Sequence, residues 1–388
     1  MANRPSLKSQ TMMTTEIYRA SINHFMQPVE PLMADPDVTE IMINGADDIR
    51  AEKAGKLLTT KHRFPSEAAL LAAVRNIAEF NGRTIDDLHL AMDGRLPDGS
   101  RVHVITPPTA KHGVHVTIRR FRKSTFNLKS LIEGGSLTAE AAEFLAICVR
   151  LHRNIVVSGG TGTGKTSMLN ALSSCIPHDE RVVVIEDTSE LQLDENGHTV
   201  CLEAQQGDGE DTPKLSIREL FANSLRMRPD RIIVGEVRRG EALDLIQSMI
   251  SGHAGALTTV HANTPRDAVI RLETLCLMND AELPVYVSRQ QVASAVHLVI
   301  QLARLSDGSR RVHSIAECCG LDQANEQGQY VWNDLFQFQA AGLDEDGRIQ
   351  GELVWTGKRP SFAEEVRHLG MTDQVRRSRR LFDDAVSD

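Results

Sequence analysis

Ten consecutive residues carry the clearest chemistry in this chain: Ser158-Gly159-Gly160-Thr161-Gly162-Thr163-Gly164-Lys165-Thr166-Ser167. From Gly159 to Thr166 they fit G-x-x-x-x-G-K-[ST], the pattern of a loop that cradles phosphates. The glycines let the backbone curl until successive N–H groups converge on one anion. The helix expected to begin at this point adds the positive end of its dipole. Lys165 is placed to bridge β- and γ-phosphates, and the Thr166 hydroxyl to ligate Mg²⁺. An apolar Ile-Val-Val run precedes the loop and Ser-Met-Leu-Asn-Ala-Leu follows it, the strand-then-helix context such a loop requires. The prediction is an ATP site that uses Mg²⁺.

Acids and histidines further along decide what the site does with nucleotide. Residues 181–191 read R-V-V-V-I-E-D-T-S-E-L, a strand ending in Glu186 and Asp187. Those carboxylates would face the phosphates, unless they merely cap the next turn. Residues 228–238 read R-P-D-R-I-I-V-G-E-V-R, an apolar strand ending in Glu236, with Gly235 where many such proteins carry aspartate. Glu236 suits the orientation or deprotonation of an attacking water, and a contact with Mg²⁺ through water. The segment S-G-H-A-G-A-L-T-T-V-H-A-N ends a buried strand in His261, on the side expected for the γ-phosphate. His261 is therefore expected to sense or polarise that phosphate; His253, at the other flank, is the weaker candidate.

These residues need a scaffold that brings strand ends together. Strands are expected at 154–158, 181–186, 231–237 and 256–261, and helices at 166–174, 217–227, 241–250 and 265–277. Strand–helix alternation of this kind implies a mainly parallel sheet covered on both faces, with ligands outside the carboxyl ends of its strands. The preceding residues differ. A helical pattern spans 15–33, strands are expected at 38–45, 49–52, 56–60, 101–105 and 114–119, and Ser66 is placed to cap a helix reaching Phe80. The expected organisation is a frayed stretch at 1–14, an α+β domain at 15–122 and a linker at 123–129 within the polar 121–129 segment. An ATPase domain follows at 130–320 and an appendage at 321–388, with a strand at 329–338, a turn at 344–347 and a basic R-R-S-R-R run at 376–380.

Composition narrows the classes. The 388 residues carry a formal net charge of −9 and only 4% aromatics, which argues against a protein that coats nucleic acid or stacks its bases. No apolar run approaches the ~20 residues needed to cross a bilayer. The first residues lack a secretory core, so the expectation is a soluble intracellular protein without membrane insertion. The six cysteines show no metal-ligand spacing and are expected as reduced, buried small side chains.

Taken in order, these segments resemble the secretion-superfamily ATPases of type II and type IV secretion and of type IV and tight-adherence pili. G-G-T-G-T-G-K-T is similar to their Walker A motif, V-I-E-D to their acidic box, I-I-V-G-E-V-R to their Walker B and L-T-T-V-H-A-N to their histidine box. V-T-E-I-M-I-N-G, D-G-R-L-P-D-G-S-R-V and T-I-R-R-F resemble the family's N-terminal domain. With W-T-G-K-R-P-S-F they look most like the CpaF (TadA) branch that powers tight-adherence pili.

The resemblance implies a RecA-like P-loop ATPase domain preceded by a smaller PAS-like α+β domain. It also implies a homo-hexameric ring on the cytoplasmic face of the inner membrane, working on a membrane platform protein of a pilus or secretion system. Charge-neutralising arginines are implied at Arg119 and Arg120, at Arg95 and Arg101, and at Arg226, Arg228 and Arg238 around the Walker B strand. A conjugation or effector-secretion motor is the nearest alternative, a nucleic-acid helicase or packaging motor a more distant one, and an ATP-gated scaffold a third. The tetracysteine insert of some relatives is missing, so the resemblance implies no metal beyond Mg²⁺.

Overall fold

Runs such as V-T-E-I-M-I-N bury alternate side chains, here with a register shift between Val38 and Glu40, which makes one face of a sheet apolar. In the computed structural model, Val38–Asn44 forms strand β1 with Val38, Ile41 and Ile43 buried. The structure describes residues 16, 18–53, 55–120, 126–193, 197–205, 214–279, 282–322, 324 and 328–383. The expected fraying at 1–14 and the 121–125 part of the linker lie outside them. The chain divides into two compact units, Met1–Lys123 and Ser124–Asp388.

In the first unit, β1 is joined by β2 (Ile49–Lys53), β3 (Lys56–Thr59), β4 (Ala91–Arg95), β5 (Arg101–Ile105) and β6 (His115–Arg119) in the order β3-β2-β1-β6-β5-β4. Every neighbouring pair is antiparallel. Helix α1 (Glu67–Phe80) starts where the Ser66 side chain accepts from the Ala69 N–H, as expected of a cap, and buries Leu70, Ala73, Val74, Ile77 and Ala78. The helix expected over 15–33 is broken: residues 18–25 are helical, and a 3₁₀ turn at Gln27–Val29 and a short helix at Glu30–Ala34 follow. Pro28 and Pro31 lack the N–H that a continuous helix needs. Strand β4 carries a glycine and an acid and shows no strand pattern; Asn81 pins it, donating to the Arg95 carbonyl at 2.9 Å and accepting from the Arg95 N–H at 2.8 Å.

In the second unit the strands are β7 (Ile155–Gly159), β8 (Val182–Glu186), β9 (Thr199–Glu203), β10 (Arg231–Val234), β11 (Leu257–Val260), β12 (Leu298–Arg304), β13 (Arg310–Leu321), β14 (Tyr330–Leu343) and β15 (Ile349–Trp355). They form one sheet, β15-β14-β13-β12-β7-β11-β10-β8-β9. From β12 to β9 all pairs are parallel, and from β12 to β15 all are antiparallel. The helices are α2 (Leu128–Glu133), α3 (Ala139–Arg150), α4 (Lys165–Ser173), α5 (Ile217–Ser224), α6 (Glu241–Ile250), α7 (Pro265–Leu277), α8 (Val285–Ala295), α9 (Ala363–His368) and α10 (Arg379–Phe382). Alternate residues of β7, β8 and β10 enter two separate apolar cores, one shared with α3 and α4, the other with α5 to α8. Strands covered on both faces read as the continuous apolar runs seen in the sequence.

The described residues of the expected appendage at 321–388 are built into the second unit instead. Strands β14 and β15 extend the sheet, and Phe336, Leu353, Phe362, Val366, Leu381 and Phe382 lie buried in one core with Phe144. Strand β14 sends Phe336 into that core and packs Tyr330 and Trp332 against the other, so no simple alternation announces its membership. The basic run is docked as well: the Glu143 carboxylate accepts from the N–H groups of Arg376, Arg377 and Ser378 at 2.7, 2.8 and 2.9 Å, and Arg380 pairs with Glu140. Among the described residues no helix is long and apolar enough to cross a membrane. Cys148, Cys276 and Cys318 are buried, but Cys201 and Cys319 are exposed, against expectation. Cys319 follows Cys318 along β13, and neighbours in a strand face opposite sides.

Candidate phosphate-hydrolysis site

The site grows from the carboxyl end of β7. Gly162 (φ 70°) and Gly164 (φ 97°) both occupy the left-handed region, which turns the loop into α4. A Cβ added to Gly159 would lie 2.5 Å from Thr163 Oγ1, so only glycine fits there. Thr163 Oγ1 donates to the Gly160 carbonyl at 2.9 Å and closes the loop on itself. Thr161 stands exposed at the tip, and Ser167 lies on the first turn of α4. Lys165 is 9% exposed, and its Nζ donates to the Gly159 and Gly160 carbonyls at 3.0 and 3.1 Å.

Two neighbouring parallel strands deliver the acid and the histidine. Strand β11 lies between β7 and β10, so His261, past the end of β11, falls between the loop and Glu236. His261 Nε2 is 3.3 Å from Lys165 Nζ and 2.7 Å from Glu236 Oε1. The Glu236 Oε2 atom receives Arg238 Nε at 2.8 Å. Glu236 Oε1 is buried, and its near neighbour is the His261 ring 2.7 Å away, which pairs with it when the ring is protonated. Burial and then the Lys165 ammonium hold the His261 imidazole below its ordinary pKa, outweighing the nearby Glu236.

The acids of residues 186–190 differ in what they touch. Glu186, 5% exposed, accepts from the Glu190 and Leu191 N–H groups at 2.9 and 3.1 Å, and so caps the turn that follows β8. Its Cγ would lie 2.8 Å from a Cβ placed on Gly235, the physical reason no aspartate stands there. Asp187 reaches Arg238 at 3.7 Å. The acid that meets the loop is Glu190, whose Oε2 accepts from the Thr166 hydroxyl at 3.1 Å. Sequence reading passed over Glu190 although it stands in the same D-T-S-E-L turn. It also passed over Arg310, whose Nε donates to the Gly162 carbonyl at 2.9 Å.

Arg226 and Arg228 are exposed and precede the amino end of β10, away from the strand ends that carry Glu236 and His261. His253 likewise precedes the amino end of β11, with Nδ1 buried and no hydrogen-bond partner for it among the described residues. In the first unit, Arg120 donates to the Asp35 carbonyl. Arg95 is paired in register with Arg101, Arg101 with Arg119, and Arg119 with Glu40. Directly paired residues share a face, so three arginines line up across one edge of that sheet.

The donors around Thr166 suit Mg²⁺, a hard cation that takes oxygen ligands and keeps waters and substrate phosphates in its shell. The Thr166 hydroxyl and the Glu190 carboxylate beside it are of that kind. Among the described residues no group of three or more His, Cys, Asp or Glu forms a cage able to hold a metal by itself.

A family model described as "Type II/IV secretion system protein" matches residues 23–350. The chain belongs to that family. Its relatives include a putative conjugal transfer protein of Mycobacterium tuberculosis (strain CDC 1551 / Oshkosh), 33% identical over 359 residues that cover 91% of this chain and 93% of the relative. The type IV secretion system protein VirB11 of Brucella suis biovar 1 is 30% identical over 319 residues, 75% of this chain and 88% of that one. Among solved structures, the pilus retraction motor PilT with bound ADP superposes with a TM-score of 0.53 at 17% identity, covering 91% of this chain and 87% of PilT. The Legionella pneumophila ATPase DotB gives a TM-score of 0.51 at 19% identity, covering 79% and 82%. Both likenesses concern the α/β fold.

Proposed function

We propose that this family member hydrolyses ATP and couples the reaction to work on a secretion or pilus machine. One observation carries the reading: a buried phosphate-loop lysine, an imidazole and a strand-end carboxylate stand in contact, Lys165–His261–Glu236. In this reading the loop amides and Lys165 hold the polyphosphate. Mg²⁺, held by Thr166 with Glu190 beside it, supplies charge neutralisation when bound. Glu236 orients the attacking water and takes its proton, and His261 reports the γ-phosphate to Glu236. Glu186 and Asp187 position their turns.

The arginine row of the first unit supports a charge-neutralising role for Arg95, Arg101 and Arg119. Guanidinium groups suit phosphate because their planar fork matches its oxygens, and in this row Arg119 also pairs with Glu40 at 3.8 Å. Arg120, tied to Asp35, is the weaker member. We read the two units as RecA-like and PAS-like, the assembly as a homo-hexamer, and its place as the inner face of the inner membrane beside a platform protein. The conjugal transfer and VirB11 relatives favour type IV secretion as the work done. The W-T-G-K-R-P-S-F segment and the D-G-S-R and T-I-R-R motifs favour a tight-adherence pilus of the CpaF (TadA) kind. Deletion of the gene, scored for surface pili and for substrate transfer, separates the two. Phosphate release by the purified protein, abolished in Lys165→Ala and Glu236→Gln, tests the enzyme; undiminished turnover in either variant sinks it.

A further inference from the structure

The far side of the phosphate loop is as charged as the side that carries Glu236. Strand β7 has β11 on one flank and β12 on the other, and the β12–β13 hairpin brings Arg304 and Arg310 into register opposite each other. Both are exposed, and they continue the face on which Leu302 and Val312 are buried. Arg310 Nε donates to the Gly162 carbonyl at 2.9 Å, and Arg310 Cδ would lie 3.7 Å from a Cβ on Gly164. Arg304 Nη1 would lie 4.0 Å from a Cβ on Gly162. Both guanidinium groups therefore border the two glycines that turn the loop.

The hairpin is built to hold them there. Gly308 (φ 87°) makes the turn. Asp307 Oδ1 accepts from the Ser309 N–H and hydroxyl at 2.9 and 2.7 Å. Asp307 Oδ2 accepts from the Ile349 N–H at 2.8 Å, which ties the tip to β15. The hairpin thus sets two planar guanidinium groups side by side at the loop, a geometry that suits recognition of a phosphate.

Glu236 and His261 fix which end of a nucleotide this would be. They stand on the β11–β10 side of the loop, where the terminal phosphate is cleaved. The remainder of the nucleotide then extends toward β12. Resting on the ATPase reading above, we propose that Arg304 and Arg310 form a cationic lip that receives the α-phosphate end of ATP and ADP alike. They set nucleotide affinity and take no part in the cleavage step.

Titration of ADP and ATP into wild type, Arg304→Ala, Arg310→Ala and Arg310→Gln tests this. Loss of one charged contact predicts that each variant weakens both nucleotides by about ten- to a hundredfold, with the loss in turnover falling on KM rather than kcat. Arg310→Gln keeps an N–H able to reach the Gly162 carbonyl but loses the charge. If it binds like wild type, Arg310 only props the loop and the lip is wrong. Unchanged ADP affinity in Arg304→Ala, which leaves the Arg310–Gly162 bond in place, overturns the proposal, as does a loss confined to ATP. Wild type that binds no nucleotide would instead overturn the ATPase reading itself.

Discussion

Glu236 Oε1 and His261 Nε2 stand 2.7 Å apart, and the same imidazole touches Lys165 Nζ at 3.3 Å. The phosphate-loop lysine and the strand-end carboxylate are thus joined by one ring, delivered by the strand between them. Replacement of Glu236 by Gln keeps the shape and removes the base. Phosphate release should fall about 10²–10⁴-fold, while fluorescent ADP binds within a few-fold of wild type. Equal losses of binding and turnover would make Glu236 a structural group.

The depressed His261 pKa carries a sign. The ring stays neutral as pH falls through its ordinary value of 6.5, because burial and then Lys165 oppose a second positive charge. The acid limb of kcat/KM should therefore lie below pH 6.5. Arg238→Ala removes one cation that lowers this pKa and should move the limb upward. A wild-type limb at or above 6.5 contradicts the arrangement.

His297 makes the second unit acid-sensitive. Burial, then Arg153, pushes its pKa down from 6.5 to about 4, and its Nδ1 accepts from the Asn154 N–H at 2.9 Å. The unfolded chain binds the proton first. The stability this site contributes is therefore full above pH 6.5 and is lost progressively as pH falls toward 4, by up to about 3 kcal/mol. Trp332 and Trp355 are the only tryptophans and both lie in the second unit, so their fluorescence in urea follows that unit alone. His297→Asn should flatten the slope between pH 6.5 and 4; an unchanged slope refutes the assignment.

Arg231 is buried on β10, paired with Glu180 and donating to the Gly255 carbonyl at 3.4 Å. Glu180→Ala strands that guanidinium and should cost roughly 3–5 kcal/mol in the same urea titration. A loss below about 1 kcal/mol would mean that water reaches the site.

The carboxylate beside Thr166 should show in the metal requirement. Glu190→Gln is expected to raise the Mg²⁺ needed for half-maximal turnover by about tenfold, in line with other residues that hold metal ligands in place. An unchanged Mg²⁺ dependence would confine Glu190 to its turn.

Much of the scaffold was legible because its determinants are local. The loop glycines, the Ser66 cap and the four doubly covered strands β7, β8, β10 and β11 announce themselves within a few residues. What escaped depends on pairing across the chain. No spacing rule sets Arg95, Arg101 and Arg119 in one row, since three strands have to pair before they meet. Glu186 and Glu190 are two acids of one turn, and only the direction of two backbone N–H groups decides which carboxylate faces Thr166. Arg226 and Arg228 flank the same strand as Glu236, yet a strand has two ends and only one lies beside the phosphate loop. Arg310 needed the partly polar strands β12 and β13 to close a hairpin against the loop.

Phe144, near the start of the second unit, packs against Phe336, Phe362 and Phe382 with ring centroids 5.5, 6.3 and 5.9 Å away. The last of these lies 238 positions further along the chain. During synthesis, helix α3 therefore keeps part of this aromatic cluster uncovered until residue 382 has left the ribosome. The core beneath the phosphate loop therefore closes only after helix α10 has emerged.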